Sequence, residues 1–210
     1  MVRRLLPVVA LLALVLVPVS ASATPFQNGS FEVAPTLNPG GGWVTLAPGD
    51  TSITGWTVFN GTIDYIGGYW QHDQGSHSLD LNGNGGPGGV YQFFDTIAGA
   101  TYLVEFAMAG NPDGAPTVNT LLAFGDSFAN PFSFTEPAGT SRADMNWAQN
   151  SFQFTAVGAT SFIAFLSTTN SQFYGPALDN VRVSTVPEPA TLSLLGLGLA
   201  GGAIRRRFRR

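Results

Sequence analysis

Apolar and polar positions alternate with a period of two along most of this chain. Tyr102, Val104, Phe106 and Met108 alternate with Leu103, Glu105 and Ala107; Leu79 and Leu81 flank Asp80; Phe152 and Phe154 flank Gln153; Phe162, Ala164 and Leu166 alternate with Ile163 and Phe165. Successive side chains of a strand point to opposite faces, so each stretch predicts a strand. Asn60-Gly61, set between residues 56–59 and 62–65, predicts a tight hairpin with positive φ at both central positions. Clusters of Gly, Pro, Asn and Asp punctuate the pattern, most clearly at residues 82–89 and 111–116. Away from the termini no stretch has the period of an amphipathic helix. The fold class is therefore all-β: an antiparallel β-sandwich, a jelly roll of about eight or nine strands.

Both ends depart from this pattern. Arg3 and Arg4 precede an apolar run over residues 5–19, and Ala21-Ser22-Ala23 supplies a small-x-small cleavage site. Residues 1–23 thus read as a signal peptide, with Thr24 as the first mature residue. At the other end Pro187-Glu188-Pro189 precedes an apolar run over residues 190–204, followed by Arg205, Arg206, Arg207, Arg209 and Arg210. As a helix that run spans roughly 22 Å, short of the roughly 30 Å of a hydrocarbon core, so it is a marginal transmembrane helix. Arginines resist translocation, which gives the segment a stop-transfer character.

The three-part order of residues 186–210 resembles the PEP-CTERM sorting signal of Gram-negative bacteria, a segment also labelled "ice-binding protein C-terminal domain". The resemblance implies an exosortase, a membrane-embedded cysteine transpeptidase that cuts near Pro187-Glu188-Pro189. It further implies export to the cell envelope or surface, with transient membrane anchoring before that cut. Ice binding itself finds no support, because the exported part has no Thr-x-Thr array.

Removing the two ends changes the charge. Of nine arginines only Arg142 and Arg182 lie between residues 24 and 186, against twelve acids, a formal charge of −10. Such a surface repels phosphate backbones and excludes nucleic acid as a partner, while it favours divalent cations. The chain has no cysteine, so a single domain over residues 24–185 is expected to be held by packing, with a metal as a further contributor.

Catalytic patterns are sparse. His72 and His77, five apart, do not share a strand face. Triads drawn from them with Ser76, Ser78, Asp73 or Asp80 lack a nucleophile-elbow glycine pattern, so the protein is expected to be no enzyme. Asp80-Leu81-Asn82-Gly83-Asn84 lacks the later glutamate of an EF-hand loop and reads as a turn. Glu32 near the start of the domain and Asp179 near its end are better placed. First and last strands of a jelly roll often lie side by side, so these two are candidates to hold one structural Ca2+ with backbone carbonyls, or else to cap backbone N–H groups.

Asn28-Gly29-Ser30-Phe31-Glu32, Gly55-Trp56-Thr57-Val58, Ile63-Asp64-Tyr65-Ile66, Gly75-Ser76-His77-Ser78-Leu79-Asp80-Leu81-Asn82-Gly83, Gly110-Asn111-Pro112-Asp113 and Gly175-Pro176-Ala177-Leu178-Asp179-Asn180-Val181 together resemble the choice-of-anchor C family. That family is similar to a plant cell-wall family of unknown function, and both resemble galactose-binding-like sandwiches used as carbohydrate-binding modules. The resemblance implies calcium positions at Glu32 and Asp179.

A sugar site needs aromatic faces for the apolar side of a pyranose and amides or carboxylates for its hydroxyls. Residues 65–74 offer that mixture, with Tyr69, Trp70, His72 and Asp73 as candidates; the competing reading packs Trp70 into the core, where Trp56 also belongs. Three functions follow from the sequence: a polysaccharide-binding surface protein processed by signal peptidase and exosortase, a structural surface or matrix protein without a defined sugar, and an envelope glycoside hydrolase.

Overall fold

The computed structural model describes residues 24–126 and 128–187. The expected signal peptide, Glu188 and Pro189 of the sorting motif, the apolar run and the arginine cluster lie outside the described residues. Thirteen strand segments follow one another there: β1 (Trp43–Leu46), β2 (Thr57–Phe59), β3 (Ile63–Ile66), β4 (Ser78–Asp80), β5 (Asn82–Gly83), β6 (Gly86–Pro87), β7 (Gly89–Asp95), β8 (Thr101–Gly110), β9 (Val118–Gly125), β10 (Phe128–Thr135), β11 (Ala148–Thr155), β12 (Thr160–Ser167) and β13 (Pro176–Thr185). One sheet has the order β1-β3-β4-β13-β8-β11, the other β10-β9-β12-β7-β2, and β5 and β6 form a small ribbon. All pairings are antiparallel. The chain passes repeatedly from one sheet to the other, as in a jelly roll.

The period-two reading identifies the inward faces. Val104, Phe106 and Met108 of β8 meet Leu121 and Ala123 of β9 and Ile163 and Phe165 of β12, all buried. Phe106 lies edge-on to Phe165 at 4.9 Å and to Phe132 at 5.0 Å. On β12 the residues between these face outward, and Phe162 packs on Phe93 at 5.8 Å, leaving an aromatic outer surface with Phe59 and Tyr91.

Two expectations fail for identifiable reasons. Asn60-Gly61 makes no hairpin: β2 and β3 belong to different sheets, and the dipeptide carries the chain between them. Asn60 alone takes a positive φ, 68°, and its Nδ2 donates to the Pro87 carbonyl. Gly61 is required by close approach, since a Cβ there would sit 2.2 Å from that carbonyl oxygen. The strand count also exceeds the expected eight or nine, because short segments such as β2, β4, β5 and β6 are too brief to show a period.

The motif Asn28-Gly29-Ser30-Phe31-Glu32 is no strand either, yet it does lie against β13. Gly29 O accepts the Val181 N–H at 2.8 Å, beside the bulge where the β13–β8 register shifts between Asp179 and Arg182. Asn28 (φ 54°) and Phe31 (φ 60°) are left-handed. Trp56 Nε1 donates to Asn28 O at 2.9 Å, Tyr65 Oη donates to Phe31 O at 2.8 Å, and the Phe31 ring is fully buried against Trp56. A Cβ at Gly29 would fall 1.8 Å from Val181 O. Gly29→Ala is accordingly expected to lower stability by at least about 2 kcal/mol in denaturant melts. Gly41→Ala, whose Cβ meets nothing within 4 Å, is expected to stay within about 0.5 kcal/mol of the parent; equal melts for the two variants would contradict this account.

Candidate functional site

Alternate residues of a strand share a face, and opposite the core the six-stranded sheet presents Trp43 and Thr45 of β1, Asp64 and Ile66 of β3, and Asp80 of β4. The register sets Thr45 opposite Asp64 and Asp64 opposite Asp80, so a polar row crosses three strands. This row floors a cleft of about 690 Å³. Its walls are loops: Tyr69 and Trp70 between β3 and β4, Asn84 in the β5–β6 turn, Asn111 and Asp113 after β8, Arg142 between β10 and β11, and Phe173 and Tyr174 before β13.

Those loops are tied down. Asn82 Nδ2 donates to Thr169 O at 3.2 Å and Ser171 O at 2.6 Å, while its Oδ1 accepts from Ser167 Oγ. Asp113 takes the Tyr69 hydroxyl on Oδ2 and Arg142 Nε on Oδ1, both at 2.7 Å. The Arg142 guanidinium lies 4.0 Å above the Tyr69 ring, and Trp43, 48% exposed, meets that ring edge-on at 4.7 Å. The Asp113 carboxylate holds the Arg142 pKa above its ordinary value. Burial raises the Tyr69 pKa, and its donation to Asp113 adds to the effect.

Asp80 departs from the strand pattern, which put it between two core leucines as an outward residue. It is 1% exposed, because the loops around Asn111 and Gly175 cover that end of the sheet. Burial pushes its pKa well above the usual carboxylate value, against hydrogen bonds from Asn82 N, Asn111 Nδ2 and Gly175 N and with the neighbouring Asp64 charge adding to the rise. Asp64 is raised by burial too, although Thr45 Oγ1 donates to it at 2.6 Å.

The residues singled out from sequence divide between places. Tyr69 lines the cleft. Trp70 borders it but is 4% exposed, its Nε1 bonded to Ser78 Oγ at 2.8 Å, so it packs as a core residue. His72 and Asp73 lie instead in a second hollow of about 350 Å³ with Gln71, Asp144, Asn146 and Trp147. Asp73 accepts from Gln149 Nε2 and Asn180 Nδ2; burial lowers the His72 pKa.

Glu32 and Asp179 grip opposite ends of one loop, residues 73–77. Glu32 accepts from Ser76 N, Ser76 Oγ, His77 N and His77 Nδ1 at 2.7–3.0 Å. Burial pushes its pKa up, but these hydrogen bonds outweigh it and hold the carboxyl below its ordinary value. Asp179 accepts Asp73 N, Gln74 N and Asn180 N, and burial nevertheless raises its pKa to about 7. Both carboxylates are engaged by N–H and O–H donors, and among the described residues no group of three or more His, Cys, Asp or Glu is arranged to hold a metal. Ser76 Oγ and Glu32 both meet His77 on the same nitrogen, Nδ1, so they do not form a relay through the ring.

Sequence reasoning assigned no role to Trp43, Asn84, Arg142, Phe173 or Tyr174. The available signal was Arg142, one of two cations between residues 24 and 186.

Two antiparallel sheets carrying a loop-walled cleft on one outer face define an all-β sandwich. The chain belongs to the family described as "Protein of unknown function (DUF642)", whose model matches residues 24–184, and residues 185–207 match the PEP-CTERM protein-sorting motif. DUF642, rather than choice-of-anchor C, is thus the family name the match carries. The motif marks an exported protein sorted to the cell surface. The chain is 30% identical to halomucin of Haloquadratum walsbyi over 166 residues, covering 78% of this chain and 2% of halomucin. It is 26% identical to the protein DUF642 L-galactono-1,4-lactone-responsive gene 2 of Arabidopsis thaliana over 172 residues, covering 78% of this chain and 46% of that protein. The chain therefore spans less than half the length of either relative. Among solved structures it is similar to TmCBM61 in complex with β-1,4-galactotriose (TM-score 0.46, 13% identity, 79% of this chain and 100% of that one). It is also similar to a CBM35 from Paenibacillus barcinonensis (TM-score 0.43, 17% identity, 68% and 99%).

The raised carboxylates have a consequence for pH. Asp64, Asp80 and Asp179 bind their protons more tightly folded than unfolded, so the stability they contribute is full below the ordinary value of 3.8. It is lost as pH rises through the raised values, about 7 for Asp179. Glu32, being lowered, works in the opposite sense. The melting temperature of the domain is expected to fall between pH 4 and pH 8, and less steeply in Asp80→Asn; a parent profile that rises across this window would contradict the assignment.

Proposed function

We propose that this is an exported, non-catalytic surface protein that binds polysaccharide in the cleft on the six-stranded sheet. The observation that carries the reading is the meeting, in one cleft, of the rings of Trp43, Tyr69, Phe173 and Tyr174 with the polar groups of Asp64, Asn84, Asn111, Asp113 and Arg142. A pyranose is apolar across its C–H face and polar around its rim, so it needs both kinds of surface at once. The cleft volume also falls within the range of roughly 300–1,000 Å³ usual for small-ligand sites.

The sorting motif supports a route in which signal peptidase and then an exosortase process the chain, the latter near Pro187-Glu188-Pro189. In this reading residues 190–204 anchor the chain in a Gram-negative envelope until that cut. The absence of catalysis is part of the proposal: neither His72 nor His77 is supplied with a nucleophile and an orienting acid on its two nitrogens. An ion shared by Glu32 and Asp179 would have to displace the donors those carboxylates already accept.

A glycan array with the domain tests the reading. Specific binding is expected, weakened at least about tenfold, or 1.4 kcal/mol, in Trp43→Ala; this side chain is half exposed, so its loss leaves the core intact. Uniform silence would turn the assignment to a structural matrix protein. Turnover of a chromogenic glycoside, abolished in Asp64→Asn, would turn it to a hydrolase. Calorimetry with calcium is expected to give no heat that Asp179→Ala removes; such heat would restore the metal to the site.

A further inference from the structure

The two ends of the domain emerge at the same pole. Thr24 donates its N–H to the Asp95 carboxylate and accepts the Asp95 N–H at 2.8 Å, at the end of β7. Val186 N donates to Thr101 O at 2.8 Å, at the start of β8 and the end of β13. Between these points lie two loops joined to each other, with Thr96 N on Ala159 O, Gly99 N on Ala156 O and Ala156 N on Ala100 O.

This pole is uncharged and carries exposed apolar side chains. Ile97-Ala98-Gly99-Ala100 and Ala156-Val157-Gly158-Ala159 contain no charge, in a segment with twelve acids. Ile97 and Val157 are 70% and 75% exposed, the highest values among the large apolar side chains described. The nearby acids are turned to the domain's own groups: Asp95 to Thr24, and Asp126 to Val157 N, Ser161 Oγ and Phe162 N. From Val186 to Ala190, where the apolar sequence starts, there are four residue-to-residue steps, at most about 14 Å even fully extended. Wherever that sequence enters a membrane, this pole must stay near the interface.

We propose that the uncharged pole built by residues 96–100 and 156–159 rests on the lipid surface while the chain is still anchored, with Ile97 and Val157 dipping into the interface; this builds on the anchoring read from the sorting motif. Two aliphatic side chains contribute little binding of their own. Their effect is on orientation. Thr101 at the pole and Gly110 at the cleft end are nine residues apart on β8, so the pole stands about 30 Å from the cleft. Seating the pole on the bilayer holds the Trp43–Tyr174 cleft towards the end of β8 that is farther from the membrane.

The chain has no cysteine, so single probes can be placed cleanly. Ile97→Cys, Val157→Cys and, in the cleft, Asn84→Cys are made in the full-length chain, labelled with an environment-sensitive fluorophore and reconstituted into phosphatidylcholine–phosphatidylglycerol vesicles containing a doxyl-labelled lipid. Probes at 97 and 157 are expected to shift to the blue and to be quenched severalfold more than the probe at 84, and to lose both effects in a chain ending at Pro187. Flotation with the vesicles but equal quenching at all three positions would overturn the proposal alone. Failure to float would overturn the anchored reading and the proposal with it.

Discussion

The fold depends on satisfying a short, half-buried stretch of backbone around Phe31 that belongs to neither sheet. Residues 28–32 carry no ladder hydrogen bonds, and burying peptide groups without partners is costly. Side chains supply the partners: Trp56 for Asn28 O, Tyr65 for Phe31 O, and the Asn28 amide for Val33 and Thr54. The partners come from distant parts of the chain, so the stretch cannot be satisfied until both sheets are in place. Gly29 lets this segment approach β13 at its bulge, and Glu32 then fixes the loop leading into β4. With no disulfide available, this knot of hydrogen bonds closes the sandwich at its first residues.

The long strands were legible because each has one face against a continuous core. On β11, and on β8 as far as Phe106, buried apolar residues alternate with exposed or half-buried ones, and the pattern survives reading by eye. On β4 it does not survive, since loops bury the outer face as well and Asp80 sinks beside Leu79 and Leu81. Asn60-Gly61 was legible as a turn but not as a crossing between sheets, because the left-handed residue serves either purpose. Glu32 and Asp179 were read as neighbours able to share one ion; they sit at opposite ends of residues 73–77, and the donors they accept belong to a loop that period and propensity do not place.

The cleft was the least legible feature. Trp43, Asp64, Asn84, Asn111, Asp113, Arg142 and Tyr174 are spread over more than half the chain and meet through strand register, through Asp113, which holds Arg142, and through Asn82, which ties the segment before β13 to the β5–β6 ribbon. Residues 69–73, by contrast, are contiguous and looked like a site for that reason. The backbone separates them: Tyr69 turns to the cleft, Trp70 to the core, and His72 and Asp73 to the hollow beside Trp147.

The grip of Asp113 on Tyr69 and Arg142 bears on how a ligand is received. Long side chains lining a cleft ordinarily lose rotamer freedom when something binds, at about 0.5–1.5 kcal/mol for each one immobilised. Here the ring and the guanidinium stacked on it are already fixed by two hydrogen bonds to one carboxylate. That loss of entropy occurred when the protein folded. The wall therefore meets its ligand in the shape it keeps, and what a ligand gains from touching it is not diminished by having to set it in order.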